Sequence, residues 1–278
     1  MAWFDHESVE ADLIVAADGI HSVARRRRYP DEGPPLWNGS LLWRGLAEVE
    51  RVLDGRTMIW AGHPDQKFVG YPIVDRADGR QTFNFIAELR RPGSALAADE
   101  DWNRVGRFED FLPEFESWNF GWLDVPAIIK TAPETYLYPM VDREPLARWT
   151  FGRTTLLGDA AHPMYPIGSN GASQAILDAR VLAGCLRQHP TEIDVALARY
   201  EDARRPATAA IVAANRGMGP ERPMAIVEER APDGFERIDD VISKAEIDAV
   251  TEGYRRTAGF AVSDLERGTS LLDEPYSA

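Results

Sequence analysis

One stretch limits the fold of this chain more than any other. The apolar run Thr154–Leu157 stops at Gly158-Asp159, turns through His162-Pro163 and Pro166-Ile167-Gly168-Ser169-Asn170-Gly171, and opens directly into helix-forming sequence. A short apolar run followed by a Gly-rich turn and a helix is the strand–loop–helix unit of an open α/β sheet, where ligands sit beyond the carboxyl ends of strands. The helix start there offers N–H groups without intrahelical partners, together with the positive end of the dipole. Asp159, at the strand end, can accept hydrogen bonds from a polyol or ribose. Gly168 and Gly171 let the backbone approach a flat ligand where a Cβ would collide. Ala172, Ala175, Ile176, Ala179, Ala183 and Leu186 fall on one helical stripe, which predicts a face packed tightly under whatever is bound. The plainer alternative is an ordinary helix entry capped by Ser169 or Asn170. The two are compatible, since a capped start still presents other N–H groups.

A second segment has the same character. Asp12–Ala17 is an apolar run that suits a strand buried on both faces, and it ends at Asp18-Gly19, with Ser22 and Arg25 at fixed spacing behind. Asp-Gly alone is also a common turn pair. Taken together, Asp18-Gly19-x-x-Ser22-x-x-Arg25 after a strand, and Gly158-Asp159 with its Pro- and Gly-rich continuation, resemble two flavin-binding motifs of the FAD-dependent aromatic hydroxylases, the single-component flavoprotein monooxygenases. They stand in that family's order, separated by a β-rich segment. The likeness runs from about Asp12 to about Asn215 and includes Trp43-Arg44-Gly45, Tyr71-Pro72-Ile73 and Tyr138-Pro139-Met140-Val141-Asp142-Arg143. Within the family the chain most resembles the phenazine-type hydroxylases.

The resemblance implies FAD as cofactor, NAD(P)H as cosubstrate, and oxygen transfer from O₂ to a small aromatic, phenazine-like substrate through a flavin C4a-hydroperoxide. It places Asp18 and Gly19 near the pyrophosphate and ribityl region, with Arg25 supporting their loop. Gly158, Asp159 and Ala160 fall at the ribityl chain. Pro166, Gly168, Asn170 and Gly171 face the N1–C2=O edge of the flavin, where a helix dipole stabilises the reduced ring. Two other readings stay open: a FAD-dependent reductase or oxidase without oxygen insertion, and a remnant without catalysis.

The family's proteins begin with a βαβ unit whose Gly-x-Gly-x-x-Gly loop holds the FAD pyrophosphate. This sequence shows no such loop and reaches Asp18-Gly19 almost at once. The expectation is a chain that keeps the ribityl and ring contacts and by itself holds FAD poorly. The implied fold class is α/β (α+β): the C-terminal part of a Rossmann-like FAD-binding domain with an inserted antiparallel β-sheet substrate domain. Residues 1–34 and 150–218 are expected in the first domain, 35–149 in the second, and 219–278 in a helical or irregular tail.

Ser40–Val49, Thr57–Ala61, Lys67–Val74 and Gln81–Leu89 read as strands of an antiparallel meander, with turns at Asp54-Gly55, Asp65 and Asp78-Gly79. Trp102, Val105, Phe108, Phe111 and Leu112 predict one amphipathic helix over Asp101–Trp118, laid across that sheet. A shorter helix is expected over Trp122–Lys130 and a strand over Thr135–Val141. A helix starting at Thr191-Glu192-Ile193-Asp194 runs through Tyr200 and is kinked or ended by Pro206, and Val241–Gly253 is locally periodic. A substrate pocket would draw on Trp43, Arg44, Tyr71, Tyr138 and Met164, which lie on or beside the family-like segments. The aromatic members serve equally well as core, and a strand Arg often faces solvent. Arg44 is the group suited to an aromatic carboxylate.

The formal net charge of −14 argues against nucleic acid, which needs a positive field. No apolar run approaches the ~20 residues of a membrane helix. A lone cysteine, Cys185, fits a buried structural thiol in a reducing cytoplasm. In Arg25-Arg26-Arg27-Arg28 only the first matches the motif, and the others read as a solvated helix end. The five histidines show no metal-ligand spacing, and His162 reads as a loop-positioning residue rather than a base.

Overall fold

The computed structural model describes residues 2–3, 6–94 and 101–260. In chain order its elements are β1 (Ala2–Trp3), β2 (Ser8–Val9), β3 (Ile14–Ala16), α1 (Val23–Arg28), β4 (Leu36–Val49), β5 (Ile59–His63), β6 (Gln66–Asp75), β7 (Gln81–Arg90) and β8 (Val105–Gly106). There follow α2 (Leu112–Phe115), α3 (Val125–Lys130), β9 (Thr135–Asp142), β10 (Thr150–Phe151), β11 (Thr154–Leu156), α4 (Gly171–Gln188), α5 (Ile193–Arg216), α6 (Arg222–Arg230) and α7 (Lys244–Ala258). They form a mixed α/β protein of two compact units. The first gathers the chain up to Leu36, Val141–Pro223 and the residues from Gly234 on; the second holds Trp37–Met140 and Met224–Asp233.

The second unit is built on a six-stranded sheet in the order β5-β6-β7-β4-β9-β8. Strict alternation shapes it. Leu41, Trp43, Phe83, Phe85 and Phe68 point to one face and pack with Phe111, Phe115, Val125 and Ile129 from the segments around α2 and α3. The intervening residues Arg44, Leu46, Tyr71 and Asn84 take the opposite face. Phe68, Phe83, Phe85, Phe111 and Phe115 have no exposed surface, and burying one such side chain stabilises by roughly 1.5–3 kcal/mol.

The helix predicted over Asp101–Trp118 does not form as one element. Val105 and Gly106 instead pair with Tyr136 and Thr135 of β9. There Gly106 passes so close to Trp43 that a Cβ would lie 2.6 Å from its ring. A 3₁₀ turn over Phe108–Asp110 and the short α2 then bring Phe111 and Phe115 into the core. Trp102 and Val105 remain exposed.

In the first unit β11 lies between β10, antiparallel, and β3, parallel, with Leu156 opposite Ala16. Their shared direction puts Asp18 and Asp159 beyond the same end of the pair. Behind it Leu156, Ala161, Leu182, Leu197 and Tyr200 form a second core, to which Cys185 belongs. The helix α5 runs on through Pro206 to Arg216 instead of ending. Proline frees only the carbonyl four residues earlier, that of Asp202, and Asp202 is exposed to water.

Of the stripe on α4, Ala172, Ile176, Ala179 and Ala183 are exposed, Ile176 by 69%, while Ala175 and Leu186 are half-buried, Leu186 against the second core. The buried face is Gln174, Asp178, Leu182 and Cys185, because polar partners on α5 and in the strand-end loop claim it. Nor do the residues after 218 form a separate tail. Most of α6 belongs with the second unit and α7 with the first; residues 261–278 lie outside the described residues. Among the described residues no helix is long and apolar enough to cross a membrane, and no group of three His, Cys, Asp or Glu is placed to hold a metal.

Candidate functional site

At the carboxyl end of β11 the chain turns left-handed at Gly158, with φ +60°, and the N–H of Gly158 donates to Asp178 on α4 at 3.1 Å. A Cβ there would stand 3.2 Å from the Ala175 methyl, so the turn needs glycine for its conformation and for its closeness to the helix. Asp159 follows, solvent-accessible but with enough protein around its carboxyl that burial pushes its pKa up, opposed by His162. Among the described residues, outside the helix itself, its Oδ1 is the one atom within 4 Å of where a Cβ on Gly171 would lie, at 3.9 Å. The described residues therefore leave the space beside Gly171 open.

The helix start itself is uncapped. Asn170 holds the N-cap position but makes no side-chain bond to the helix, and the first intrahelical bond runs from Gln174 N–H to the Asn170 carbonyl. The N–H groups of Gly171, Ala172 and Ser173 have no intrahelical acceptor and none among the described residues. Asn170 instead donates to the Tyr254 hydroxyl, which bonds Asn215 Oδ1 at 2.7 Å. Gly168 makes room for the same tyrosine: at φ +75° its Cβ would fall 2.2 Å from the Tyr254 oxygen. The turn therefore needs glycine at 168 to clear α7. Burial pushes the Tyr254 hydroxyl up to about 12, which keeps its proton in place. Tyr254→Phe is expected to lower stability by ~1–3 kcal/mol, the cost of leaving buried amide groups unpaired. A thermal melt matching wild type would contradict it.

Below the loop sits a network that the sequence did not announce. Asp178, fully buried, accepts from His162 Nε2 and from Arg204 Nε, the latter at 2.7 Å. Arg204 also donates to Gln174 Oε1 at 2.6 Å, and Gln174 donates to the Ala258 carbonyl at 2.9 Å. Burial penalises the Asp178 charge, but the hydrogen bonds from His162 and Arg204 and the guanidinium charge outweigh it and hold the carboxyl below its ordinary range. His162 is thus a 3% exposed clamp on the loop, as its position suggested.

The Asp18-Gly19 turn meets this loop through Arg25. Asp18 itself caps α1, accepting from Val23 N–H at 2.8 Å, while Gly19 supplies a left-handed φ of +77°. Arg25 is 1% exposed and spends all its N–H donors on protein: Glu32 through Nε and Nη2, the Ala160 and Ala161 carbonyls through Nη1, the Glu144 carbonyl through Nη2. With no donor to spare, Arg25 faces no ligand and instead ties the segment after Asp18-Gly19 to the strand-end loop. Ala160, also fully buried, contributes its carbonyl to that tie. Pro166 stands exposed at the turn before Gly168. Arg26, Arg27 and Arg28 are surface residues.

Of the pocket candidates, Trp43 faces the core, 1% exposed and stacked on Phe111 at 5.2 Å, and is withdrawn. Arg44, Tyr71 and Tyr138 lie on the opposite face of the same sheet, with the Arg44 guanidinium 5.9 Å from the Tyr138 ring centre. Met164, half-buried, belongs to the strand-end loop of the first unit.

Residues 127–215 match the family profile of the FAD binding domain. Phenazine 1,6-dicarboxylic acid hydroxylase PhzS of Lysobacter antibioticus is 47% identical over 212 residues, covering 75% of this chain and 52% of its own. The chain belongs to the FAD-dependent aromatic hydroxylases. A further relative in that family, 3-amino-4-hydroxybenzoate 2-monooxygenase PtnB3 of Streptomyces platensis, is 34% identical over 245 residues, 85% of this chain and 59% of that one. The chain spans a little over half the length of these two hydroxylases.

Solved structures of similar fold include a salicylate hydroxylase substrate complex, with TM-score 0.67, 22% identity and coverage of 99% of this chain and 67% of that one. Another is Klebsiella pneumoniae HpxO complexed with FAD and uric acid, at TM-score 0.65, 24% identity and coverage of 95% and 62%. For a hydroxylase of this family, the uncapped α4 start, the open space at Gly171 and the Asp159 carboxylate fit the ribityl and ring half of a flavin.

Proposed function

We propose that this chain carries the ribityl- and ring-binding half of the FAD site, together with the substrate sheet, of a monooxygenase that hydroxylates a planar aromatic acid at the expense of NAD(P)H and O₂. The reading rests on one juxtaposition: a strand-end carboxylate, Asp159, beside the open, uncapped start of α4. When bound, FAD supplies the two-electron chemistry that passes reducing equivalents from NAD(P)H to O₂, one oxygen atom entering the substrate and the other leaving as water.

The chain's own residues have simpler tasks. Asp159 accepts hydrogen bonds from ribityl hydroxyls. The N–H groups of Gly171, Ala172 and Ser173, with the helix dipole behind them, favour negative charge at the ring edge laid against them. Asp18 and Gly19 hold their turn beside that site, and Arg25 fixes both loops to each other. On the sheet, Arg44 offers a fork-shaped cation to a carboxylate, and Tyr71 and Tyr138 offer aromatic surface.

The test is a fluorescence titration of the chain with FAD, then NAD(P)H oxidation with and without an added aromatic acid. Wild type is expected to bind FAD weakly and reversibly. Asp159→Ala is expected to weaken that binding by ~1.5–3 kcal/mol, roughly ten- to a hundredfold, the worth of a hydrogen bond to a charged acceptor. Equal FAD affinity in the two proteins, or no FAD binding by wild type, would remove the proposal.

A further inference from the structure

Phe83 and Phe85 on β7 point into the core, so Asn84 between them points to the opposite face of the sheet. It is 7% exposed, and its amide nitrogen is buried without a hydrogen-bond partner among the described residues. An unpaired buried donor costs roughly 1–3 kcal/mol, and leucine would fill nearly the same volume without that cost. Packing alone gives no reason for an amide here, and an unsatisfied group of this kind points to a partner from outside the chain.

The neighbours on that face suit a flat molecule. Tyr71 on β6 and Leu46 on β4 are the direct cross-strand partners of Asn84. Arg44 sits diagonally, opposite Ile86, and diagonal neighbours in an antiparallel pair stand about 7–8 Å apart. Arg44 is exposed, and among the described residues its guanidinium has only the Tyr138 ring beneath it. Leu46 and Thr82, which flank Asn84, belong to the wall of an adjoining groove of about 550 Å³ whose other lining residues are Glu48, Arg76, Arg80, Thr131 and Pro133. A cationic fork and an unpaired amide donor therefore stand on one face of the sheet, on the neighbouring strands β4 and β7, with the aromatic side chains of Tyr71 and Tyr138 beside them.

We propose that Asn84 is a specificity-determining residue: its amide N–H binds a second acceptor atom, a ring nitrogen or an oxygen, on a planar aromatic acid whose carboxylate is held by Arg44. This rests on the aromatic-acid reading given above and narrows it. The preferred substrate is a fused-ring acid bearing an acceptor remote from its carboxylate, not a bare hydrocarbon acid.

The test uses the full chain and two probes of equal shape, 2-naphthoate and quinoline-6-carboxylate, the second carrying a ring nitrogen where the first has a CH. Calorimetric titration of wild type is expected to show quinoline-6-carboxylate binding roughly two- to tenfold more tightly, the range of one neutral hydrogen bond. Asn84→Leu is expected to abolish that preference and to melt at a higher temperature. Asn84→Val, a strand-favouring residue, carries the same expectations should leucine not fit. Equal affinities for the two acids in wild type, or a preference that survives in the variants, overturns the Asn84 assignment alone. If neither acid binds wild type, or Arg44→Leu leaves both affinities unchanged, the aromatic-acid reading falls and takes the assignment with it.

Discussion

Arg25→Ala is expected to lower the stability of the protein by ~3–5 kcal/mol, the range for removing one partner of a buried charge pair. The side chain is 1% exposed, and its donors reach Glu32, Glu144 and the consecutive carbonyls of Ala160 and Ala161. Among the described residues, truncation leaves the 16% exposed Glu32 carboxylate with the 3.4 Å contact to Arg143, and it removes the side-chain donor from the Ala160 and Ala161 carbonyls. Marginal stabilities of about 5–15 kcal/mol make such a loss a fifth or more of the total. Arg25→Lys is expected to recover little, because an ammonium cannot present the planar fork that meets a carboxylate and three carbonyls at once. Arg26→Ala, one residue along on the exposed side, should stay within ~0.5 kcal/mol of wild type. Urea unfolding of the three variants decides the matter. A midpoint for Arg25→Ala close to that of Arg26→Ala would show that the tie carries no weight.

That tie also marks the border between what sequence periodicity reveals and what it does not. The strand ends at Asp18-Gly19 and Gly158-Asp159 were legible because apolar runs stopped by Gly and Asp have few other uses. The meander was legible because β4, β6 and β7 alternate faithfully around Phe68, Phe83 and Phe85. The partners of Arg25 were not, since its bonds to Ala160 and Ala161 join residues 135 and 136 positions apart. No local pattern encodes such a contact.

Of three differences between sequence and structure, two share a cause and the third is set by strand alternation alone. The α4 face was assigned by hydrophobicity, yet the buried side is led by Gln174 and Asp178, whose burial is favourable only with Arg204 and His162 in place. Trp43 was counted toward a pocket, but its neighbour in sequence, Arg44, faces the other way, as the strand's period of two requires. Gly168 was ascribed to a ligand, while the atom it avoids belongs to Tyr254, far along the chain. Polar burial and glycine clearance both depend on partners distant in sequence. Asn84 carried no sequence signal at all beyond a polar residue between two phenylalanines.

Asp178→Asn should be the second large loss, again ~3–5 kcal/mol at neutral pH. The carboxylate receives three donors: Gly158 N–H, His162 Nε2 and Arg204 Nε. An amide of the same shape has one accepting oxygen. If that oxygen meets Arg204, the NH₂ group faces the N–H of Gly158 and the ring of His162, donor against donor, and the Arg204 charge is left without its counter-ion. The loop carrying Asp159 is anchored at both Gly158 and His162, so it loosens with the same change.

The pH dependence has a definite sign. The Asp178 carboxyl is held below its ordinary value in the folded protein, so its contribution is complete above the unfolded value of about 3.9 and is lost as pH falls through the lower, folded one. The stability gap between wild type and Asp178→Asn should therefore be widest near neutrality and close at strongly acidic pH, where the wild-type carboxyl takes up its proton and comes to resemble the amide. Urea unfolding of both proteins at pH 7 and in steps below pH 4 measures that gap. A gap that stays constant across the series, or falls under ~1 kcal/mol at pH 7, would mean that packing around residue 178, and not its charge, holds the strand-end loop to α4.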